Sequence, residues 1–113
     1  MKKYIEEKPW GKFEQFCFNE KVTVKIITVQ PNSKLSLQYH NHRDEFWRIL
    51  EGNGQIILKE ELVNVKVGDE FFIPRKVKHR IIAGDNSLSV LEISFGGFNE
   101  KDIVRLEDEY NRK

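Results

Sequence analysis

Residues 35–47 read LSLQYHNHRDEFW, and this stretch decides the fold. Apolar and polar residues alternate over 35–40, which is the period of a β-strand with two different faces. Ser36, Gln38 and His40 share one of these faces, and the residues between them share the other. Three polar side chains are unusual on a strand face that only covers a core. The pattern therefore predicts a strand that carries a functional site.

Seven further strands are predicted on either side of this one. They are short runs rich in β-branched or aromatic residues, and most end at Gly, Pro, Asn or Asp, which favour turns. With the first strand, they span residues 22–29, 35–40, 45–51, 55–59, 62–67, 70–73, 79–83 and 88–95. Eight strands at this spacing, with no helix between them, predict an all-β antiparallel barrel or sandwich and argue against a parallel βαβ sheet.

Two turns and the C-terminal tail complete this prediction. Gly52-Asn53-Gly54 is expected to close a hairpin, and Gly84-Asp85-Asn86 is expected to form another turn. In the tail the period changes, because Ile103, Leu106 and Tyr110 fall on one face of a helix and Asn99 is a candidate N-cap. A short C-terminal helix packed on the barrel is therefore expected.

Length and composition predict one folded domain over residues 1–113. Hydrophobic residues make up 39% of the chain and aromatic residues 12%, which suits a packed core. The 19 basic and 18 acidic residues leave a net charge of +1, which argues against nucleic acid or a membrane surface as a partner. The N-terminus lacks the apolar segment of a signal peptide, so a cytoplasmic location is expected. Cys17, Trp10, Trp47 and Phe95 are expected to pack in the interior.

Four side chains form a candidate metal site. Gln38 and His40 lie two residues apart on one strand face, Glu45 begins the next strand, and His79 begins a strand much later in the chain. Two imidazoles, a carboxylate and an amide oxygen are suitable ligands for a borderline divalent ion such as zinc. Spacing alone leaves two interpretations open, since a histidine on a strand is often a hydrogen-bonded structural residue.

The same residues carry a resemblance to the cupin superfamily. Residues 32–52 resemble the first cupin motif, with Asn32 in place of its first Gly and Gln38 in place of its first His. Residues 68–83 resemble the second motif, which contains Pro74 and His79. The resemblance implies a single-domain cupin barrel (a double-stranded β-helix or jelly roll). It also implies that Gln38, His40, Glu45 and His79 hold a divalent metal, with zinc as the first choice and manganese, nickel or iron as alternatives.

A narrower resemblance covers residues 8–112. The stretch 35–47 is similar to the Leu-Ser-Leu-Gln-x-His-x-His-Arg-x-Glu-x-Trp signature of type II phosphomannose isomerases, whose isomerase cupin usually follows a mannose-1-phosphate guanylyltransferase domain. Residues 8–11, 72–74 and 100–108 extend the match to both ends. Asn41 and Phe46 depart from the family, which commonly has His at both positions. No Gly-rich phosphate loop of a nucleotidyltransferase is found.

This resemblance implies an isomerase that interconverts mannose 6-phosphate and fructose 6-phosphate through an enediolate. Such a reaction needs an electrophile, a proton-transferring group and a cation for the phosphate. Arg43 is the first candidate for the phosphate and a catalytic role, followed by Arg105 and then Arg80, whose side chain is expected to point away from the metal as an outer-surface charge. His42 is the candidate base, and Glu51 and Glu92 are alternatives.

Two other functions and two partners are also considered. The chain could be a non-catalytic cupin that keeps a metal or sugar pocket, and the departures at Asn41 and Phe46 favour that alternative. A purely structural oligomerisation unit would leave the polar quartet unexplained. Apolar residues on both faces of several strands predict a homodimer, and a separate mannose-1-phosphate guanylyltransferase is a candidate partner.

Overall fold

The computed structural model describes residues 1–110 and 112, which form strands and turns without any helix. Accordingly, the described residues hold no helix that could cross a membrane. The strands, in chain order, are β1 (Tyr4–Lys8), β2 (Gly11–Gln15), β3 (Val22–Val29), β4 (Leu37–Tyr39), β5 (Asp44–Leu58), β6 (Glu61–Val65), β7 (Glu70–Ile73), β8 (His79–Phe95) and β9 (Val104–Glu107).

Two long antiparallel strands, β5 and β8, form the centre of the molecule. They pair from Asp44 opposite Phe95 to Leu58 opposite His79. The strands β6 and β7 both pair with β5, whereas β3 and β4 pair with β8 and β9 pairs with β4. All these pairings are antiparallel. The predicted all-β antiparallel architecture is therefore confirmed.

The core lies on the buried face of this sheet and consists of aliphatic side chains and one tryptophan. Trp47 is fully buried, as predicted, and the aliphatic members alternate along β5 and β8, as expected of strands with one face inside. The buried members are Val29, Trp47, Ile49, Ile56, Val65, Ile73, Ile81, Ala83, Leu88 and Val90. The polar residues of the candidate site lie beside this core on the same strands.

The predicted hairpin at Gly52-Asn53-Gly54 is wrong, because β5 continues through it. The register with β8 shifts on both sides of Gly52, which marks an irregularity within a continuous strand. A Cβ on Gly52 would overlap the carbonyl oxygen of Ser87, and one on Gly54 would overlap that of Ile82. These glycines therefore let two backbones approach closely instead of turning the chain. The predicted turn at residues 84–86 is likewise part of β8.

The predicted C-terminal helix is also wrong. Residues 104–107 form β9, which pairs with β4 at Gln38–Arg105 and Tyr39–Val104. A stretch of four residues fits a helical and an extended period almost equally well, and the free edge of β4 selects the extended form. Asn99 caps a turn instead of a helix, since its side-chain oxygen accepts a hydrogen bond from the Lys101 amide at 2.9 Å.

An N-terminal hairpin was missed by the sequence prediction. The strands β1 and β2 form a separate two-stranded sheet, with Tyr4 opposite Gln15. Trp10, in its turn, is 73% exposed, so the prediction that it lies in the core is wrong. Cys17, just after the hairpin, is partly buried and free, and Phe95 is partly buried.

Candidate metal site

Three of the four predicted ligands meet inside the barrel. One donor atom from each of His40, Glu45 and His79 lies within 4.8 Å of the others. Each residue is at most 2% exposed. The Nε2 atom of His40 lies 3.4 Å from Glu45 Oε2, and the Nε2 atom of His79 lies 3.9 Å from Glu45 Oε1. The sequence prediction therefore placed these three residues in one cluster correctly.

Strand pairing explains why residues so far apart in sequence meet. Gln38 in β4 is paired with His79 at the start of β8, which brings the end of β4 beside His79. Glu45 lies at the start of β5 and is paired with Ser94 near the end of β8. The start of β5 and the start of β8 therefore reach the same cavity, where the donor atoms of His40, Glu45 and His79 lie within 4.8 Å of one another.

The two imidazoles are held in the tautomer that leaves Nε2 free to bind a metal. The Nδ1 atom of His40 lies 2.6 Å from the carbonyl oxygen of Asp102, and that of His79 lies 2.9 Å from the carbonyl oxygen of Val77. A carbonyl oxygen can only accept, so Nδ1 is the protonated nitrogen in both rings. Each Nε2 atom therefore directs its lone pair at the other donors, as in metal-binding histidines.

The position of Asp102 is itself fixed by hydrogen bonds. Its carboxylate accepts from the backbone amides of Asn41 at 2.8 Å and His42 at 3.0 Å. These bonds join the loop before β9 to the loop after β4, and they hold the pKa of Asp102 below its ordinary value even though desolvation acts in the opposite direction. The carbonyl that orients His40 is thus part of an anchored loop.

Burial keeps both histidines neutral. Desolvation lowers the pKa of His40 and of His79, and the nearby Glu45 carboxylate opposes this shift without reversing it. A neutral imidazole is the form that binds a metal. The site therefore presents two neutral nitrogen donors near neutral pH.

Glu45 is held by three neighbours. Arg43 Nε donates to its Oε2 at 2.9 Å, Trp47 Nε1 donates to its Oε1 at 3.3 Å, and Ser94 Oγ lies 3.5 Å from Oε2. The Trp47 ring also packs edge-on against the His79 ring at 5.4 Å. These contacts fix the carboxylate between the two imidazoles.

The donor set fits a divalent cation. Bonds of about 2.1 Å from a tetrahedral ion place neighbouring donor atoms about 3.4 Å apart, which is close to the His40–Glu45 separation. Two neutral nitrogens and one carboxylate suit zinc and other borderline ions alike. The arrangement supports a metal site without selecting one metal.

Gln38, the fourth predicted ligand, lies beside the cluster. Its amide Nε2 is 3.5 Å from the Nε2 atoms of both His40 and His79, and its Oε1 accepts a hydrogen bond from Ser36 Oγ at 2.5 Å. The amide oxygen would face the cluster after a half-turn of the amide group. Its role as a ligand remains a prediction.

Arg43 lies inside the cluster and is 7% exposed. Its Nη2 atom is 3.2 Å from His40 Nε2, and its Nη1 atom donates to the carbonyl oxygen of Asn99 at 3.3 Å. The guanidinium carbon lies 4.5 Å from the centre of the Phe98 ring, which is a cation–π contact. With its bond to Glu45, Arg43 is surrounded by partners.

A pocket of about 370 Å³ adjoins the cluster. Gln38 and Arg43 form the part of its wall nearest the histidines, and charged side chains of both signs form much of the rest. The lining residues are Lys25, Ile27, Gln38, Arg43, Glu92, Phe98, Glu100, Ile103 and Arg105. Such a volume accommodates a small polar molecule beside the candidate metal site.

Two cations in the pocket wall retain free hydrogen-bonding capacity. Among the described residues, Arg105 Nε is buried without a hydrogen-bond partner, while its Nη1 atom donates to the Arg112 carbonyl at 3.4 Å. Lys25 Nζ lies 4.1 Å from the centre of the Phe98 ring. Both groups are suited to an anionic ligand.

Glu92 is the buried carboxylate of this pocket. Burial and the neighbouring Glu45 carboxylate raise the pKa of Glu92 to about 7, and Arg43 opposes the shift. Ser94 Oγ lies 3.5 Å from a carboxylate oxygen of each of the two glutamates. Glu92 can therefore exchange a proton near neutral pH, as a proton-transferring group must.

The other predicted site residues lie outside the pocket wall. His42 and Glu51 are exposed. Arg80 is 5% exposed, so the prediction of an outer-surface charge is wrong. Its Nε donates to the Leu35 carbonyl at 2.8 Å, and its Nη1 donates to Glu107 at 3.3 Å, which joins β8 to β9.

Lys25, Phe98 and Asp102 are the residues that the sequence analysis missed. Lys25 lies in a strand of alternating pattern, and neither its spacing nor its neighbours distinguished it from a solvated charge. Phe98 and Asp102 lie in the segment that was interpreted as the approach to a helix. Only the pairing of β9 with β4 brings that segment to the site.

Comparison with known proteins agrees with this geometry. The family described as "Mannose-6-phosphate isomerase C-terminal" matches residues 2–108. The chain is 38% identical over 107 residues to a mannose-1-phosphate guanylyltransferase of Salmonella montevideo, and 36% identical over 107 residues to the xanthan biosynthesis protein XanB of Xanthomonas campestris pv. campestris. Each match covers 93% of this chain and 23% of the relative, so the chain spans less than a quarter of their length.

A solved structure supports the fold. The cupin 2 conserved barrel domain protein of Rhodopseudomonas palustris superposes with a TM-score of 0.67 at 20% identity, over 87% of this chain and 62% of that one. The barrel is therefore a cupin barrel. Together with the family match over nearly the whole sequence, this shows that the chain belongs to the mannose-6-phosphate isomerase C-terminal family of cupin domains.

Proposed function

We propose that this chain is a metal-dependent aldose–ketose isomerase that interconverts mannose 6-phosphate and fructose 6-phosphate. One observation carries the proposal: a buried His40–Glu45–His79 cluster adjoins a pocket that holds both a buried carboxylate and cations with free donors. Family membership supports the choice of substrate. The guanylyltransferase activity named for one of the longer relatives is not part of this proposal, because this chain matches less than a quarter of their length.

The metal site is assigned to His40, Glu45 and His79, with Gln38 as a further candidate ligand. A bound divalent ion would supply a Lewis acid that polarises the sugar carbonyl oxygen. The residues themselves would hold the ion in a fixed position, because both imidazoles are anchored through Nδ1 and the carboxylate is anchored by Trp47 and Arg43. Zinc remains the first choice, with manganese, nickel or iron as alternatives.

Glu92 is the residue that we propose to transfer the proton between C2 and C1. It is buried in the pocket wall with Gln38 and Arg43, whereas the earlier candidate His42 is exposed. A single carboxylate can take the proton from C2 and return it to C1, while the hydroxyl proton of O2 passes to O1. C2 is then oxidised to the ketone and C1 is reduced to the alcohol, so the isomerisation needs no external oxidant or reductant. The position of Glu92 in the pocket, beside the metal cluster, supports this role.

The phosphate is proposed to bind Arg105 and Lys25. Arg105 has a buried Nε without a partner among the described residues, and Lys25 lines the same pocket. Arg43, the first choice from sequence, is already engaged by Glu45 and His40. Arg80 bonds to Leu35 and Glu107 instead.

The direct test is an isomerase assay on the purified chain with mannose 6-phosphate. Protein from which the metal has been removed by a chelator should be inactive, and added zinc or manganese should restore formation of fructose 6-phosphate. Glu92→Gln should lower kcat by about 10²–10⁴-fold, which is typical of losing a general base, while still binding metal. Stoichiometric metal without turnover of any hexose phosphate would refute the isomerase proposal.

A non-catalytic metal- or sugar-phosphate-binding module is the second candidate function. The specific observation in its favour is that Arg43 donates toward both Glu45 and His40, two groups that a catalytic metal also needs. Stabilisation of the chain by mannose 6-phosphate without product formation would favour this candidate.

A homodimer in the cytoplasm is also proposed. Exposed apolar side chains lie on β3, where Val24 is 55% and Ile26 is 64% exposed, and on the N-terminal hairpin, where Tyr4 and Ile5 are about half exposed. A two-stranded hairpin is marginally stable unless another surface covers it. Light scattering of the purified chain should give twice the mass of 13.4 kDa. A separate mannose-1-phosphate guanylyltransferase remains a candidate partner, to be sought by co-purification.

A further inference from the structure

We propose that Arg43 Nη2 breaks its hydrogen bond with His40 Nε2 when a metal ion binds. The released Nη2 group then binds an anion in the adjoining pocket. This inference rests on the metal site of the proposed function. It adds a coupling between the two ligands, because metal binding would complete the anion site.

The exchange follows from the number of lone pairs on His40. Its Nδ1 carries the proton that is donated to Asp102, so its Nε2 has one lone pair in the plane of the ring. Arg43 Nη2 lies 3.2 Å from this Nε2 and can only donate. One lone pair cannot accept a hydrogen bond and bind a metal at the same time. Metal binding through His40 therefore requires Arg43 Nη2 to move.

Electrostatics act in the same direction. Glu45 is 1% exposed, and a carboxylate buried to this extent needs a positive partner. Arg43 supplies that partner through Nε at 2.9 Å. A divalent ion beside Glu45 would take over this role and repel the guanidinium, which favours rotation of Nη2 away from the cluster.

The remaining contacts of Arg43 define where the group can go. Nη1 donates to the Asn99 carbonyl, and the guanidinium carbon lies 4.5 Å from the Phe98 ring centre. These contacts hold the side chain at the wall of the pocket that Arg43 shares with Lys25 and Arg105. A small rotation that frees Nη2 therefore adds a charged donor to a pocket that already has two cations.

Metal titration is the first test. The affinity of the chain for Zn²⁺ is measured by competition with a chromophoric chelator, for the wild type, Arg43→Gln and the control Arg75→Gln. Arg75 is an exposed residue whose guanidinium pairs with Asp44. Arg43→Gln should bind Zn²⁺ about tenfold tighter or more, since a hydrogen bond with a charged donor no longer competes. Equal or weaker binding by Arg43→Gln would overturn the proposal.

Anion binding is the second test, with methyl phosphate as a probe that cannot be isomerised. In the wild type, saturating Zn²⁺ should tighten methyl phosphate binding by about tenfold, within the usual range of coupling between two sites. The enhancement should disappear in Arg43→Gln and persist in Arg75→Gln. If it persists in Arg43→Gln, the anion is held by the metal itself and the proposal is wrong.

A wild-type measurement covers the case in which Arg43→Gln fails to fold. In a crystal structure of the Zn²⁺-loaded chain, Arg43 Nη2 should lie more than about 4 Å from His40 Nε2, beyond hydrogen-bonding distance. A metal on the other donors with Arg43 Nη2 still bonded to His40 Nε2 would refute the exchange. These readouts do not depend on turnover, so an inactive chain that shows both couplings would refute only the isomerase proposal.

Discussion

Gln38 in β4 lies directly opposite His79 in β8, 41 residues further along the chain, and their side-chain nitrogens are 3.5 Å apart. This pairing joins the two sequence motifs at one point of the sheet. It places His79 next to the end of β4, where His40 follows. The candidate metal cluster is therefore a consequence of strand register, and a change in register would separate its members.

Removal of the metal should destabilise the chain. A ligand that binds only the folded state at about 100 times its dissociation constant adds about 2.7 kcal/mol, which for a domain of this size is a rise in Tm on the order of 10 °C. Thermal unfolding with Zn²⁺ and with excess chelator measures this difference. In His79→Ala the difference should be largely lost, whereas the exposed His42→Ala should retain it. An equal response in both variants would exclude His79 as a ligand.

Metal affinity should decrease in acid. Protonated imidazole cannot bind a metal, and burial lowers the pKa of His40 and His79 below the ordinary 6.5. We therefore expect constant Zn²⁺ affinity from pH 8 to about 6.5 and a progressive loss below the lowered pKa values. Zinc titration at several pH values checks this. A loss that is already complete at pH 6.5 would contradict the lowered pKa values of the two histidines.

Glu92→Gln should change how stability depends on pH. The pKa of Glu92 is about 7 in the folded chain and near 4.5 when unfolded, so the folded state holds this proton more tightly. The stability that the proton contributes is fully present below pH 4.5 and is lost as pH rises through 7. Relative to the wild type, Glu92→Gln should therefore gain on the order of 2–3 kcal/mol between pH 4.5 and pH 8.

Denaturant unfolding in the presence of chelator measures the Glu92 effect, because no metal then contributes to stability. Glu100→Gln is the matched control, since Glu100 lines the same pocket but is exposed. A pH-independent difference between Glu92→Gln and the wild type would show that folding does not raise the pKa of Glu92.

Arg105→Gln should weaken binding of the phosphosugar. A hydrogen bond to a charged group contributes about 1.5–3 kcal/mol, which corresponds to a KM increase of about 10–150-fold. We expect kcat to change much less, because this contact is made equally in the ground state and the transition state. Steady-state kinetics with mannose 6-phosphate provide the test, with Arg75→Gln as a control for charge. An unchanged KM would place the phosphate elsewhere.

Gly52→Ala should be far more damaging than Gly68→Ala. The two glycines have nearly equal φ angles of +91° and +93°, so both substitutions carry the same backbone strain of about 1–2 kcal/mol. A methyl group on Gly52 meets the Ser87 carbonyl, whereas one on Gly68 meets no atom within 4 Å. Comparing the unfolding free energies isolates the cost of separating β5 from β8. Equal losses would show that this close approach is relaxed at little cost.

The sequence by itself determined the all-β class, the cupin family and three members of the candidate metal cluster. Alternation over residues 35–40 gives a strand with a polar face, and the resemblance to the cupin motifs groups His40, Glu45 and His79. The strand depends on local periodicity, whereas the family and the grouping depend on motif residues that a single sequence displays directly.

Only the tertiary structure decided which strands pair and which side chains share the pocket. Gly52 sits inside a continuous strand because β8 lies against it, and residues 104–107 are extended because β4 has a free edge. Lys25 and Phe98 belong to the site only through such pairings. Hydrogen bonds between distant strands satisfy backbone N–H and C=O groups that have no partner within their own segment. They therefore override weak local preferences for helix or turn.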